Sequence, residues 1–127
     1  LDAMSDAAGI FRGIEPRLVQ SLEPWTEAAP ARARVWNPRR LRAGHPDIPE
    51  TWDVTSDSLA LWLAVQVRAE RCVLVKSVDA PGGHDAAALA RVGLVDVAFP
   101  DFAARFGGPI EIWGPAEKVT VALKDAA

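Results

Sequence analysis

Residues 55–79 read TSDSLALWLAVQVRAERCVLVKSVD, a polar segment followed by two apolar runs. The first run, residues 58–67, contains only two polar side chains and is apolar on more than one side, which is typical of a helix covered by several neighbours. Its ten residues fall short of the roughly 20 that cross a bilayer. The second run, CVLV, shows no alternation of polar and apolar residues, which predicts a parallel strand buried on both faces. The stretch therefore predicts a core helix and a strand of an α/β fold.

The polar segment before the helix, TSDS, has two interpretations. It contains the residue types that begin helices, a hydroxyl side chain as cap and an acid at the positive end of the helix dipole. Alternatively, its hydroxyls and free amide groups bind phosphate oxygens, and Asp57 orients a lysine or a metal ion. Four consecutive polar residues beside so apolar a helix favour the functional interpretation.

The polar residues after the strand, KSVDAPGG, form the second candidate. A lysine after a buried strand is commonly the point at which the strand reaches solvent. Followed by Ser77 and Asp79, Lys76 is also placed to approach the phosphates or ribose of a nucleotide, and Gly82 and Gly83 allow close backbone approach. The GxxxxGK[ST] pattern of a P-loop is absent from the sequence. Whether this cluster and the helix start lie at the same rim of the sheet stays open, because the helix precedes its strand.

The composition suits one domain with a single core: 127 residues, of which 50% are hydrophobic, and a net charge of −3. This charge gives no indication of a nucleic-acid or anionic-membrane partner. The single cysteine, Cys72, excludes a disulfide framework and favours a reducing, cytoplasmic compartment, and no signal peptide is predicted. His45 and His84 have no metal-ligand spacing with Cys72, so no histidine or cysteine metal site is expected. The sequence also lacks G-x-S-x-G, which argues against a hydrolase triad.

The other elements are predicted from proline, glycine and apolar spacing. A helix is expected over residues 2–14, and a second one from Arg17 or Ser21, with Ser21 as its cap. Residues 33–37, ARVWN, predict a short strand that Pro38 ends. The later elements are a helix from His84 or Asp85 to Val92 capped by Gly93, a helix over residues 99–106, and strands over residues 110–113 and 118–123.

Residues 37–54, NPRRLRAGHPDIPETWDV, are rich in proline and arginine, which predicts an extended basic loop. Loops longer than about 12 residues within a compact domain are usually functional or mobile. One interpretation is a solvated connector. The other is a rim of guanidinium groups, Arg39 and Arg40 among them, that binds an anionic substrate through paired hydrogen bonds.

Three blocks of the sequence together resemble a known family: WDVTSDSLALWLA, VLVKSVD and GLVDVAF. They resemble the C-terminal half of the amino acid kinase superfamily. The likeness is greatest to the branch that phosphorylates an aminomethyl-furan-methyl phosphate in the synthesis of methanofuran-type cofactors. It covers most of residues 1–123, and the TSDSLA and VKSVD blocks are its specific parts.

The resemblance implies a three-layer αβα sandwich with a mainly parallel sheet, from which the N-terminal portion of the family's domain is missing. Residues 1–127 would form one partial domain, with residues 1–54 on the acceptor side and residues 55–127 on the nucleotide side. The implied activity is that of an ATP-dependent small-molecule kinase that uses ATP and Mg²⁺. Its substrate would be a small-molecule phosphate or carboxylate acceptor.

The resemblance also assigns roles to individual residues. Asp57 falls on the acid that organises the catalytic lysines, and Thr55 and Ser56 fall near the phosphate of the acceptor. The residues that border the nucleotide are Lys76, Ser77, Asp79, Gly82 and Gly83. Phosphoryl transfer would then be in-line, with the enzyme supplying position and charge neutralisation.

The sequence departs from the family pattern in two respects. The family's N-terminal strand, with its lysine and Gly-Gly loop, has no counterpart, and neither does its second lysine, because His84 and Asp85 follow Gly83. Three functions stay open: a kinase completed by an N-terminal half from elsewhere, a non-catalytic kinase-like binding or assembly subunit, and an unrelated α/β ligand-binding domain. A homo-oligomer or hetero-oligomer is expected, since an incomplete sheet exposes an edge.

Overall fold

The structure is a computed structural model that describes Met4 and residues 19–25, 33–49, 51 and 53–122. The chain forms two compact units, Leu1–Glu50 and Thr51–Ala127. Met4 is helical, and the rest of the helix predicted over residues 2–14 lies outside the described residues.

In the first unit, two short strands pair in parallel, β1 (Val19–Ser21) and β2 (Arg34–Trp36). Strand β2 confirms the strand predicted over residues 33–37. The prediction of a helix start at Ser21 is wrong, because Ser21 ends β1 and its backbone joins the neighbouring strand. Its carbonyl accepts a hydrogen bond from the amide of Asn37 at 2.8 Å, and its hydroxyl accepts one from the Arg34 guanidinium at 3.4 Å.

The basic segment after β2 begins as a helix, so the prediction of an extended loop is wrong for this part. Residues Pro38–Ala43 form a 3-10 helix. Buried Asn37 caps it by accepting a hydrogen bond from the amide of Arg39 at 3.1 Å. Pro38 suits the first helical position, since its fixed φ is helical and its missing N–H would have no partner there.

The second unit contains three helices and a three-stranded sheet within its described residues. The elements are α1 (Ser56–Gln66), β3 (Cys72–Val75), α2 (Ala86–Arg91), α3 (Phe99–Phe106), β4 (Ile110–Trp113) and β5 (Lys118–Thr120). Strand β3 is parallel to β4, and β4 is antiparallel to β5. The unit is therefore a small α/β fold with a mixed sheet, as the sequence predicts at the level of fold class.

The core of this unit lies on one face of the sheet. Helix α1 packs on β3 and on α3, and α2 packs on α3. Cys72 and Leu74 of β3 are buried, whereas Val75 is 78% exposed. The prediction that β3 is buried on both faces is therefore wrong, because a run of four apolar residues also suits a strand packed on one face. The three-layer sandwich stays a prediction.

The turn after α1 determines how the helix meets β3. The amide of Arg68 donates to the Val65 carbonyl, and the amide of Ala69 donates to the Ala64 carbonyl at 2.9 Å. Arg68 has φ 55. This pair of bonds is a Schellman motif, which reverses the chain directly after a helix. Helix α1 therefore runs antiparallel to β3, and the start of α1 lies beside the carboxyl end of β3.

Gly93 has the same role after α2, as predicted. Its φ is 77, and the amide of Leu94 donates to the Leu89 carbonyl at 3.0 Å. In the described part of the chain, no helix is long and apolar enough to cross a membrane.

Candidate functional site

An ion pair joins the two polar clusters of the second unit. Asp57 lies in the first turn of α1, and Lys76 directly follows β3. The ammonium nitrogen of Lys76 lies 2.7 Å from Oδ2 of Asp57, and the two side chains are only 22% and 11% exposed. The antiparallel packing of α1 on β3 thus places both clusters at one rim, the point that the sequence leaves open.

The Asp57–Lys76 pair lies mostly out of solvent and uses only part of the hydrogen-bonding capacity of the lysine. Two charges that leave water lose hydration, and only good geometry offsets that loss. The lysine ammonium has three N–H donors, of which the contact with Asp57 uses one. Among the described residues the other two donors have no partner, and they lie at the carboxyl end of β3, where open α/β sheets bind their ligands.

A second carboxylate, that of Asp96, caps α1 from outside the helix. Its Oδ2 accepts hydrogen bonds from the amide and the hydroxyl of Thr55, both at 2.8 Å, and from the amide of Ser58 at 3.2 Å. Its Oδ1 accepts a hydrogen bond from the Ser58 hydroxyl. Thr55 occupies the cap position, but its own side chain makes no capping bond.

These hydrogen bonds leave fewer donors at the start of α1 for a ligand. The donors of Thr55, predicted to lie near an acceptor phosphate, are bound to Asp96. Ser56 is exposed, and it makes no side-chain hydrogen bond within the described residues. Its hydroxyl remains available at the rim.

Asp96 is not among the site residues that the sequence predicts, although it lies in the GLVDVAF block. The signal that points to it is a lone acid between two valines, together with hydroxyls at a distant helix start that need an acceptor. The pairing joins residues 38 and 41 positions apart, which no local pattern indicates.

Asp79 holds the turn between β4 and β5. Its Oδ1 accepts hydrogen bonds from the amides of Ala116 at 3.0 Å and Glu117 at 2.9 Å. A Cβ atom at Gly114 would lie 2.6 Å from the Cα of Asp79, so this approach requires glycine. Asp79 therefore has a structural partner at one oxygen, whatever else its side chain binds.

The other residues predicted to border a nucleotide lie on an exposed loop. Ser77, Gly82 and Gly83 are exposed, and a Cβ atom at either glycine would meet nothing within 4 Å. Gly83 has φ 78, which favours glycine. The backbone of this loop is thus open to a ligand, although Lys76 is its only residue that contacts Asp57 in the described part of the chain.

Arg39 and Arg40 belong to the first unit, whereas the Asp57–Lys76 pair and its surroundings are described within the second. Both arginines lie on the 3-10 helix and are exposed. Arg40 forms an ion pair with Glu23 at 2.9 Å.

A separate cavity of about 540 Å³ lies at the other end of the sheet. Small residues of α2 and α3 line it, together with the start of β4 at Ile110 and the chain after β5 at Ala122. None of the predicted site residues lines this cavity. Ile110 is paired with Cys72 and Trp113 with Val75, so the cavity lies at the end of the sheet opposite Lys76.

Among the residues that the structure describes, no group of three or more His, Cys, Asp and Glu side chains is arranged to hold a metal ion. Comparison with protein-family models, with curated proteins and with solved structures found no match for this chain. The likeness to amino acid kinases therefore rests on the three sequence blocks.

Proposed function

We propose that this chain is the nucleotide-side half of an ATP-dependent small-molecule kinase, which transfers a phosphoryl group from MgATP to a phosphate or carboxylate acceptor. The observation that carries the proposal is the contact between Asp57 and Lys76 at the carboxyl end of β3. Phosphoryl transfer depends on positive charge placed beside the transferred group. A lysine whose direction is set by a buried carboxylate supplies such a charge.

Each residue of the rim has a role in this proposal. Lys76 donates hydrogen bonds to the phosphate oxygens of ATP, and Asp57 holds the ammonium in place. The exposed hydroxyl of Ser56 contributes to the acceptor's phosphate site. Asp79 shapes the loop that borders the nucleotide through its bonds to the β4–β5 turn. Mg²⁺ enters with ATP and neutralises charge on its phosphates.

The residues of the rim fit the phosphates of ATP in part. Within the described part of the chain, Lys76 uses one of its three N–H donors, and the Gly82-Gly83 backbone is open to solvent. A second lysine for the transferred group is not among the described neighbours of Asp57. The proposed enzyme therefore takes its remaining charge, and the missing layer of a three-layer sandwich, from an N-terminal half supplied by a separate chain or by another part of the polypeptide, and it assembles as a homo-oligomer or hetero-oligomer. The exposed side chain of Val75 supports coverage of the outer face of the sheet by a further element.

The test is a calorimetric titration with MgATP of the full chain and of Lys76→Met. Loss of a hydrogen bond to a charged group costs about 1.5–3 kcal/mol, so binding should weaken about 10- to 100-fold. Glu111→Gln is the matched control, since Glu111 forms an ion pair with Arg71 at 2.8 Å on the outer face of the sheet. Failure of the wild-type chain to bind MgATP, or equal binding by Lys76→Met, would contradict the proposal.

The alternative is a kinase-like subunit that binds or assembles without transferring phosphate. The hydrogen bonds of Asp96 favour it, because they occupy donors of Thr55 and Ser58 that a phosphate would use. In this case the ion pair is a structural element, and removing both charges together restores what each single change loses. Unfolding of Asp57→Asn, Lys76→Met and the double variant by urea distinguishes the two: full recovery of stability with no nucleotide binding supports the subunit.

A further inference from the structure

We infer that Asp96 is a positioning residue for the Asp57–Lys76 pair. Its carboxylate fixes the first turn of α1, and the fixed turn holds Asp57 against Lys76. The inference deepens the proposed function and rests on it only where activity is concerned, because the coupling of the two carboxylates is a property of the folded chain itself.

Residues on both sides of Asp57 are hydrogen-bonded to the carboxylate of Asp96. Thr55, two residues before it, donates two hydrogen bonds to Asp96, and Ser58, the next residue, donates two more. Ser58 is fully buried. Successive helical residues are rotated by about 100°, so Asp57 projects away from Ser58 while sharing its turn. Asp96 therefore acts on Asp57 through the backbone.

Asp96 is itself held on a fixed segment between α2 and α3. Val95 and Phe99 on either side of it are buried. The amide of Phe99 donates to the Asp96 carbonyl at 3.1 Å, and the amide of Ala98 donates to the Asp53 carbonyl at 3.0 Å. A carboxylate anchored in this way fixes the start of α1 relative to the buried core.

Loss of Asp96 leaves the helix with another way to begin. The Thr55 hydroxyl, released from Asp96, is a residue type that caps a helix by itself. We therefore expect variants of Asp96 to keep α1 but to loosen its first turn, because helix ends fray when their amides lack partners. The expected effect is a displaced Asp57 and a less constrained Lys76.

The test is nuclear magnetic resonance of the full chain labelled with ¹⁵N-lysine. Lys76, Lys118 and Lys124 are the lysines of the sequence, so Lys76→Arg assigns the signal. Asp57→Asn defines the signal of Lys76 without its partner. Asp96→Asn should move the Lys76 signal toward that position and speed the exchange of its ammonium hydrogens with water.

The matched control is Asp85→Asn, since Asp85 caps α2 by accepting a hydrogen bond from the Ala88 amide at 2.8 Å. Like Asp96→Asn, it replaces a capping carboxylate of the same unit with a neutral amide, but it lies outside the contacts of α1, so the Lys76 signal should stay in place. Thr55→Val, which deletes one donor to Asp96, should give a smaller shift in the same direction. An unmoved Lys76 signal in Asp96→Asn or Thr55→Val, with a moved one in Asp57→Asn, would overturn the inference.

Titration with MgATP separates this inference from the proposed function. If the wild-type chain binds MgATP, Asp96→Asn should weaken binding about as much as Asp57→Asn does. If the wild-type chain does not bind MgATP but the Lys76 signal moves in Asp96→Asn, the positioning role of Asp96 is supported and the proposed kinase function is contradicted. If the wild-type chain binds MgATP but the Lys76 signal of Asp96→Asn does not move, the kinase function is supported and the positioning role of Asp96 is contradicted.

Discussion

Ser56 and Ser58 lie two residues apart in α1 and have opposite surroundings. Ser58 is fully buried and donates to Asp96, whereas Ser56 is exposed. We expect Ser58→Ala to lower the free energy of unfolding by about 1–3 kcal/mol, because a carboxylate oxygen loses its partner. Ser56→Ala, the same change on the same turn, should stay within about 0.5 kcal/mol. Urea denaturation of both variants checks this, and equal effects would show that Asp96 contributes no more than a surface cap.

Cys72 makes the stability of the second unit sensitive to alkaline pH. Burial raises the pKa of its thiol from 9.0 to about 11. The folded protein keeps this proton where the unfolded chain releases it. The protonated thiol therefore makes its full contribution to the free energy of unfolding below pH 9. This contribution is lost as the pH rises from about 9 to 11.

Cys72→Val tests this linkage, since valine fills a similar space and does not ionise. We expect the free energy of unfolding of the wild type to fall more steeply between pH 9 and pH 11 than that of Cys72→Val. The sequence contains no tyrosine, so no phenol titrates in the same range, and the lysines are common to both proteins. Denaturant titrations under reducing conditions measure the difference, and parallel pH profiles would contradict it.

At the scale of elements, the turn between α1 and β3 contains an unfavourable residue. Arg68 has φ 55 in a Schellman motif, a position where side chains other than glycine are disfavoured. We expect Arg68→Gly to stabilise the protein by about 0.5–1 kcal/mol. Gly93→Ala is the reciprocal change in the same motif after α2, where φ is 77, and it should destabilise by a similar amount. Thermal unfolding of the two variants with shifts of the same sign would contradict this reasoning.

The elements of the second unit follow closely from local patterns in the sequence. The predicted helix over residues 99–106 is observed as Phe99–Phe106, because Gly107 ends it in the left-handed conformation. Helix α1 begins three residues before the first apolar position, Leu59, since its start is set by Asp96 and not by its own cap. At Ser21, the parallel pairing of β1 with β2 overrides the local preference for a helix cap.

The candidate site also contains residues that the sequence predicts and contacts that it does not. Asp57 and Lys76 each lie at the end of an apolar run, so the sequence identifies both, and antiparallel packing of neighbouring elements brings them together. Asp96 and the bonds of Asp79 depend on contacts across 37 to 41 residues, which tertiary packing alone determines. Asp57 and Lys76 are therefore easier to predict from the sequence than the contacts of Asp96 and Asp79 that surround them.

At the scale of the whole molecule, the second unit contains its own core. Apart from Pro38, the described buried apolar side chains lie within residues 51–127, from Leu59 to Ile112. We expect residues 51–127, expressed alone, to unfold cooperatively in urea and to keep the amide spectrum of the corresponding part of the full chain. A broad, non-cooperative transition would show that this unit depends on residues 1–50.

The turn after α1 reverses the chain and places Asp57 beside Lys76. It also leaves the opposite end of α1 available for chemical labelling. Helix α1 is about 16 Å long at 1.5 Å per residue, so the turn that includes Glu70 is remote from the rim. Glu70 is exposed, while the native thiol of Cys72 is buried and resists ionisation. Glu70→Cys therefore provides a selective attachment point for a dye or a surface tether, and a ligand reaching Lys76 would find its approach unobstructed.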